Sequence, residues 1–264
     1  MQDVLAFTRR DFLIWTSYRL QALRELGSLV IAVLVLIVLG KLLGESHAAF
    51  LDRYHTNYVG YFLTTVTFVE IWGVGFLLSK SLRDSQALGT LEAMMLSPMG
   101  LFRLLLYSTV FPTLVILVRL LLLTAVAVLL FGQWHQANVL SVLVLFAASI
   151  LTMGCLGVLS SAFVLLLKQG DPIVPIYGLL NGLLSGAIFP PEALPTWLQP
   201  LSRILPLTYA LDGMRQALAG ASLLDIAPQV LALGGIFLVL LPVTLWTLSW
   251  ATRRAKEEGS LVQY

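Results

Sequence analysis

The chain has 264 residues, of which 58% are hydrophobic and 11% charged, with a mean hydropathy of +0.90. A soluble domain carries about 25% charge, so a soluble globular fold is excluded, as are a disordered chain and a disulfide scaffold. Sixteen Lys and Arg against fourteen Asp and Glu leave a net charge of +2, which gives no basic field for nucleic acid, and Cys155 is the single cysteine, in an apolar run that predicts an inert buried thiol.

A bilayer core of about 30 Å takes about 20 apolar residues in helical form. Residues 1–25 are too polar to span. Their Val4, Phe7, Trp15, Tyr18 and Ala22 follow helical spacing among arginines. This predicts a helix lying on the inner membrane surface with aromatics at headgroup depth; an ordinary cytosolic lead-in helix is the alternative. The first span, 26–43, is free of charge until Lys41 and has no small-residue cleavage site after it, so it reads as retained rather than as a signal peptide. The second, 58–79, is interrupted by Glu70. The third, 104–131, contains Pro112 and Arg119. The fourth, 139–167, carries no charge, the fifth, 173–189, is short and glycine-rich, and the sixth is 230–250. Runs this long are helices; barrel strands would alternate over about ten residues. The expected fold is therefore all-α and polytopic: six transmembrane helices in one domain, 1–264, with the interfacial helix in front.

Lys and Arg in the loops set the orientation. Arg9, Arg10, Arg19, Arg24, Lys80, Arg83, Arg103, Lys168, Arg253, Arg254 and Lys256 fall on one side, and Lys41, Arg53, Arg203 and Arg215 on the other. Both termini are thus expected in the cytoplasm, and His47, His55 and His135 outside.

Two segments are neither span nor simple loop. In 80–100 (KSLRDSQALGTLEAMMLSPMG), Leu88, Leu91 and Met95 form a small apolar face if one helix carries them, and Pro98 ends it. Such a ridge suits a groove on a partner, and a solvated loop helix with nothing docked fits the spacing equally. Residues 190–228 hold six prolines yet are too apolar for a free outer loop. Short re-entrant helices in the outer leaflet, Pro195 to Ile204 and Leu207 to Ala219, the latter stopped by Gly220, satisfy both facts.

Glu70 and Arg119 lie near mid-depth on consecutive spans. Each alone would cost about 2.5–3.5 kcal/mol at a helix centre. Pairing offsets that cost; lining a substrate path is the sharper alternative. Gly154 and Gly157, and the run Gly178, Gly182 and Gly186, have the small-residue spacing that lets helices approach, either within the chain or at a dimer face.

These features together resemble the permease subunit of ABC-2 type transporters. Gly89, Thr90, Leu91, Glu92, Ser97 and Pro98 match that family's Gly-Thr-Leu-Glu followed by Ser/Thr-Pro. Gly186, Phe189, Pro190, Leu194, Pro195, Leu205, Pro206, Leu207, Thr208, Tyr209 and Arg215 match its second pattern, and the similarity runs the length of the chain. The resemblance implies that Leu88 to Pro98 (Leu88, Gly89, Thr90, Leu91, Glu92, Met95, Ser97, Pro98) is a coupling helix seated in a cytosolic ABC ATPase. It implies two ATPase copies, a second permease copy in a homodimer, and a cytoplasmic (inner) membrane location. It implies an outer gate built from Phe189, Pro190, Pro195, Pro206, Tyr209 and Arg215. The chain itself is expected to bind no cofactor or metal and to catalyse nothing: no Gly-x-x-x-x-Gly-Lys-Ser/Thr loop occurs in it, so ATP and Mg would belong to the partner.

The expected function is export of a hydrophobic or amphiphilic substrate (drug, lipid or glycolipid), with polysaccharide export as the alternative. A carrier or channel without ATP would favour two similarly broken halves, and one broken region is seen. An intramembrane enzyme would need a nucleophile and base, or metal ligands, at shared depth; a zinc site from His47 and His55 is weaker than a reading of both as solvated loop residues.

Overall fold

The computed structural model describes residues 2–17, 58–90, 101–131, 136–167, 173–188 and 190–257, with 23–24, 27–28, 30–31, 34–35, 38, 54, 94, 97 and 99. Most of the expected first span, 26–43, all three histidines and residues 168–172 lie outside the described residues. The described residues are helical and contain no strand.

In chain order the helices are α1 (Gln2–Ser17), α2 (Tyr58–Gly75), α3 (Leu77–Ala87), α4 (Leu101–Phe131), α5 (Val139–Leu167), α6 (Ile173–Leu184), a 3-10 turn at Pro191–Ala193, α7 (Gln199–Ile204), α8 (Pro206–Leu218) and α9 (Ala227–Glu257). Three of them, α4, α5 and α9, contain stretches long and apolar enough to cross a bilayer: Arg103–Val126, Val139–Leu166 and Ala227–Arg254. Pro112 and Pro242 sit inside α4 and α9 without ending them; in such helices neighbouring groups re-satisfy the freed carbonyl.

Helix α5 is the hub, packed against α2, α3, α8 and α9. It is apolar all round, and its buried hydroxyls bond back to the carbonyl one turn earlier, Ser149 to Leu145, Thr152 to Ala148 and Ser161 to Gly157. It also bonds across helices. Ser160 Oγ lies 2.9 Å from Ser79 Oγ, and Thr244 donates to the Cys155 carbonyl at 3.3 Å. A Cβ on Gly157 would stand 1.7 Å from the Gly75 carbonyl oxygen. Only glycine admits this crossing, and the α2–α3 break at Phe76 lies beside it.

Cross-helix bonds lie near both ends of α5. Ser141 Oγ donates to the Ala221 carbonyl at one, and Gln86 Nε2 reaches the Val164 carbonyl at the other; 23 residues of helix separate them, about 35 Å. Around the first end a core of Phe68, Leu145, Met153, Leu207, Leu211, Met214, Ile226 and Leu233 is buried. Around the second are Leu78, Leu82, Leu105, Val164, Leu165 and Ala251. Helix α1 packs on α4, with Phe7 edge-on to Tyr107 and Phe12 and Trp15 edge-on to Phe111.

Several expectations need adjusting. The second hydrophobic stretch does not stop at Ser79. It breaks at Phe76 and runs on as α3 to Ala87, because Leu78 and Leu82 bury against α5. The fifth helix ends at Leu184 rather than 189. The small-residue run does not make one groove: Gly178 faces the Trp72 ring, Gly182 has nothing within 4 Å, and Gly186 is a turn. In the fourth stretch Gly157 makes the close contact and Gly154 meets nothing within 4 Å.

Candidate functional site: a buried arginine at one end and an exposed helix tip at the other

Helix α6 ends in a run of bends whose Gly186 has a φ of 84°, a left-handed value that favours glycine. A Cβ there would also come 3.0 Å from Pro191 Cδ. The turn leaves the carbonyls of Gly186 and Ala187 without helical partners, in a buried place where unmet acceptors are costly. Side chains from two other helices meet them. From α2, Tyr61 Oη donates to Gly186 O at 2.7 Å and Thr65 Oγ1 to Ala187 O at 2.7 Å. From α8, Arg215 Nη2 donates to Gly186 O at 2.9 Å and to Thr65 Oγ1 at 2.8 Å.

Arg215 is only 4% exposed. Its guanidinium lies over the Tyr61 ring, 3.5 Å from the centroid, and 5.8 Å from that of Tyr54. Such a desolvated cation–π contact is worth about 2 kcal/mol. Among the described residues its Nε has no hydrogen-bond acceptor. One turn earlier, Asp212 accepts Tyr54 Oη at 2.7 Å, Gln216 Nε2 at 3.0 Å and Gln229 Nε2 at 2.8 Å. The result is one connected network of α2, Tyr54, the 185–188 bend, α8 and α9. It holds the Arg215 guanidinium inside the protein with ring faces and two neutral oxygen acceptors in direct contact, and the Asp212 carboxylate one turn away in the same network.

Of the residues expected at an outer gate, Pro190 is buried and extended ahead of the 3-10 turn, Pro206 is buried at the first position of α8, and Tyr209 is half-buried. Pro195 is exposed, and Phe189 lies outside the described residues. Gly220 has a φ of 98° and stops α8 one residue after Ala219, with Asn138 N donating to Ala217 O. The sequence reading missed Tyr54, Tyr61, Thr65, Asp212 and Gln229. Tyr61 and Thr65 do carry a signal, polar groups one helical turn apart on an apolar helix, but their partners are 125 and 150 residues away.

At mid-helix, Arg119 of α4 and Glu70 of α2 are brought together, Nε to Oε1 at 3.0 Å. The nitrogen makes no aligned hydrogen bond, so the contact is one of charge. Both side chains are mostly covered, with 25% and 17% exposure.

At the other end, α3 finishes in a left-handed cap. Gly89 has a φ of 67°, Leu88 N donates to Asp84 O, Gly89 N to Gln86 O and Thr90 N to Ser85 O. Leu88 is 76% exposed, and Gly89 and Thr90 are exposed beside it. This corrects the expected single helix through Leu88, Leu91 and Met95: the chain turns at Gly89, so Leu88 belongs to the end of α3. Met94 N bonds Thr90 O, and Ser97 Oγ accepts Met99 N at 3.3 Å. Leu91, Glu92, Met95 and Pro98 lie outside the described residues.

A family model described as ABC-2 type transporter matches residues 2–219, from α1 to the end of α8. No curated protein matches the chain.

Proposed function

The chain belongs to the ABC-2 type transporter family, and from that premise we propose that it is the permease subunit of an ATP-driven exporter in the cytoplasmic membrane, with both termini inside. The match over residues 2–219 is the observation that carries this reading. In it, two cytosolic ATPase subunits bind and hydrolyse Mg·ATP and two copies of this chain form the pathway. The substrate is a drug, lipid or glycolipid, in keeping with the apolar lining that such helices offer.

The exposed Leu88–Gly89–Thr90 tip supports a docking role. A leucine at 76% exposure on a helix end is what a partner groove would cover. Movement of the tip has a stiff route inward, because α3 is tied to α5 through Gln86 and Val164 and through Ser79 and Ser160, and the end of α2 just before it sits on α5 at Gly75 against Gly157. The far end of α5 meets α8 and the Arg215 network. In this reading the network keeps the outer end closed, and opening parts the Gly186 and Ala187 carbonyls from α2 or α8.

Reconstituted vesicles holding the chain with its ATPase should move a lipid-like cargo only when ATP is present. Leu88→Glu should abolish both co-purification of the ATPase and its stimulation, while leaving the permease folded. Cargo movement by the chain alone, or an undisturbed complex with Leu88→Glu, would defeat the reading.

A further inference from the structure

The end of the molecule that holds the Arg215 network also holds a cavity of about 140 Å³. A single water needs about 10–15 Å³ by this measure, so the space holds on the order of ten waters, room for a small polar headgroup but short of the 300 Å³ or so of a drug-sized pocket. Its wall carries both signs of charge: Glu192 and Asp212, with the rings of Tyr54 and Tyr209, and Arg203 with the buried Ser202. Carboxylates and tyrosine faces suit an ammonium, whereas a guanidinium beside a hydroxyl suits a phosphate. One ligand group satisfies both, a phosphate joined to an ammonium by a short link.

The same segment is two-faced. Ser202 is fully buried, whereas Trp197, Leu201 and Ile204 are 71%, 47% and 68% exposed. In an outer leaflet those three would lie against acyl chains. We propose that this cavity binds the zwitterionic headgroup of a phospholipid, its ammonium toward Glu192 and Asp212 and its phosphate toward Arg203, with Trp197, Leu201 and Ile204 along its chains. The proposal rests on the reading above that residues 190–228 form short helices in the outer leaflet. Tyr54 and Asp212 belong to both the cavity and the Arg215 network, so an occupant braces the closed bend.

The full chain, purified and delipidated in detergent, would be titrated with phosphatidylethanolamine, with phosphatidylglycerol of the same acyl chains, and with water-soluble phosphoethanolamine. Retention would be read by native mass spectrometry. Phosphatidylethanolamine should bind about tenfold tighter than phosphatidylglycerol, since an ammonium–carboxylate contact is lost in the latter, and phosphoethanolamine should bind more weakly. At two exposed positions, Glu192→Gln should remove that preference, and Arg203→Ala should weaken both lipids, whose phosphate it would meet, in each case without lowering the melting temperature. Equal binding of the two lipids, an unchanged preference in Glu192→Gln, unchanged binding of both lipids in Arg203→Ala, or binding of phosphoethanolamine but not of the lipid overturns the proposal. No ATPase is needed, so such a failure leaves the permease reading standing. Glu192→Cys in a Cys155→Ser background, probed with an impermeant maleimide on intact cells, tests the outer placement by itself: labelling supports it, and its absence overturns it.

Discussion

Two arginines lie within this apolar body, and they are held in different ways. Arg119 is met by one opposite charge, Glu70, at 3.0 Å on a neighbouring helix. Arg215 is met by a tyrosine face, a threonine hydroxyl and a backbone carbonyl from two separate segments. A charge pair depends on two side chains being near each other, and it tolerates small shifts because Coulomb energy falls slowly with distance. A cation held by a ring face and short hydrogen bonds depends on the whole local arrangement. Arg119 is thus a cost offset within the helix bundle, whereas Arg215 is a joint: it stays comfortable only while α2, α8 and the Gly186 turn remain together.

The sharpest way to break this contrast is at the joint. Arg215→Ala should lower stability by about 3 kcal/mol, from two charge-assisted hydrogen bonds and the packing over Tyr61, measured as a fall in the melting temperature of the detergent-solubilised protein. Arg215→Lys should recover less than half of it, because a point ammonium cannot lie flat on the ring and reach both acceptors. Full recovery with lysine would mean that charge alone matters there.

A second test moves α2 without touching either arginine. Gly157→Ala places a Cβ 1.7 Å from the Gly75 oxygen and forces α2 from α5, at about 2 kcal/mol. Since α2 carries Tyr61, Thr65 and Glu70 together, the double variant with Arg215→Ala should cost less than the two added, while that with Arg119→Gln should be nearly additive. Additivity in both would erase the distinction.

The pair itself is tested by a cycle of Glu70→Gln, Arg119→Gln and both, for which a coupling of about 1 kcal/mol is expected. A double variant no better folded than the worse single one would leave direct pairing unsupported.

The smallest effect belongs to an exposed carboxylate that lies outside the spanning helices. Asp225 accepts the Ser222 backbone N–H at 2.8 Å and its hydroxyl at 2.7 Å, and these bonds hold its pKa below the ordinary value. A depressed carboxyl contributes stability above its unfolded pKa of about 3.9 and loses it as the pH falls through the folded value. Asp225→Asn should therefore melt slightly below the native protein at pH 7, with the two curves converging in acid. A gap that widened in acid would contradict that assignment.

Much of the architecture was legible in the residues. Val139 to Leu167 is one uncharged run and one helix, and Gly220 stops α8 as a C-terminal glycine should. The resemblance drawn from the Gly-Thr-Leu-Glu and Leu-Pro-Leu-Thr-Tyr patterns agrees with the family match. Depth alone put Glu70 and Arg119 at one level and left a substrate path open as the alternative; the 3.0 Å contact is a product of packing. Boundaries were less legible: α3 continues past Ser79 because Leu82 finds α5, a contact that no local pattern contains. The Leu88–Leu91–Met95 face failed at Gly89, where the chain's need for a left-handed cap outweighed helical spacing.

Apolar length, charge placement and the proline and glycine stops are local properties, and they determined by themselves that the chain is helical, membrane-bound and broken after its fifth hydrophobic stretch. Which polar groups meet inside was decided by the tertiary structure. A carbonyl freed at Gly186 must be satisfied by whatever the fold delivers, and Tyr61, Thr65 and Arg215 arrive from helices distant in sequence. Hydrogen bonds act over about 3 Å, so only packing can choose the partner.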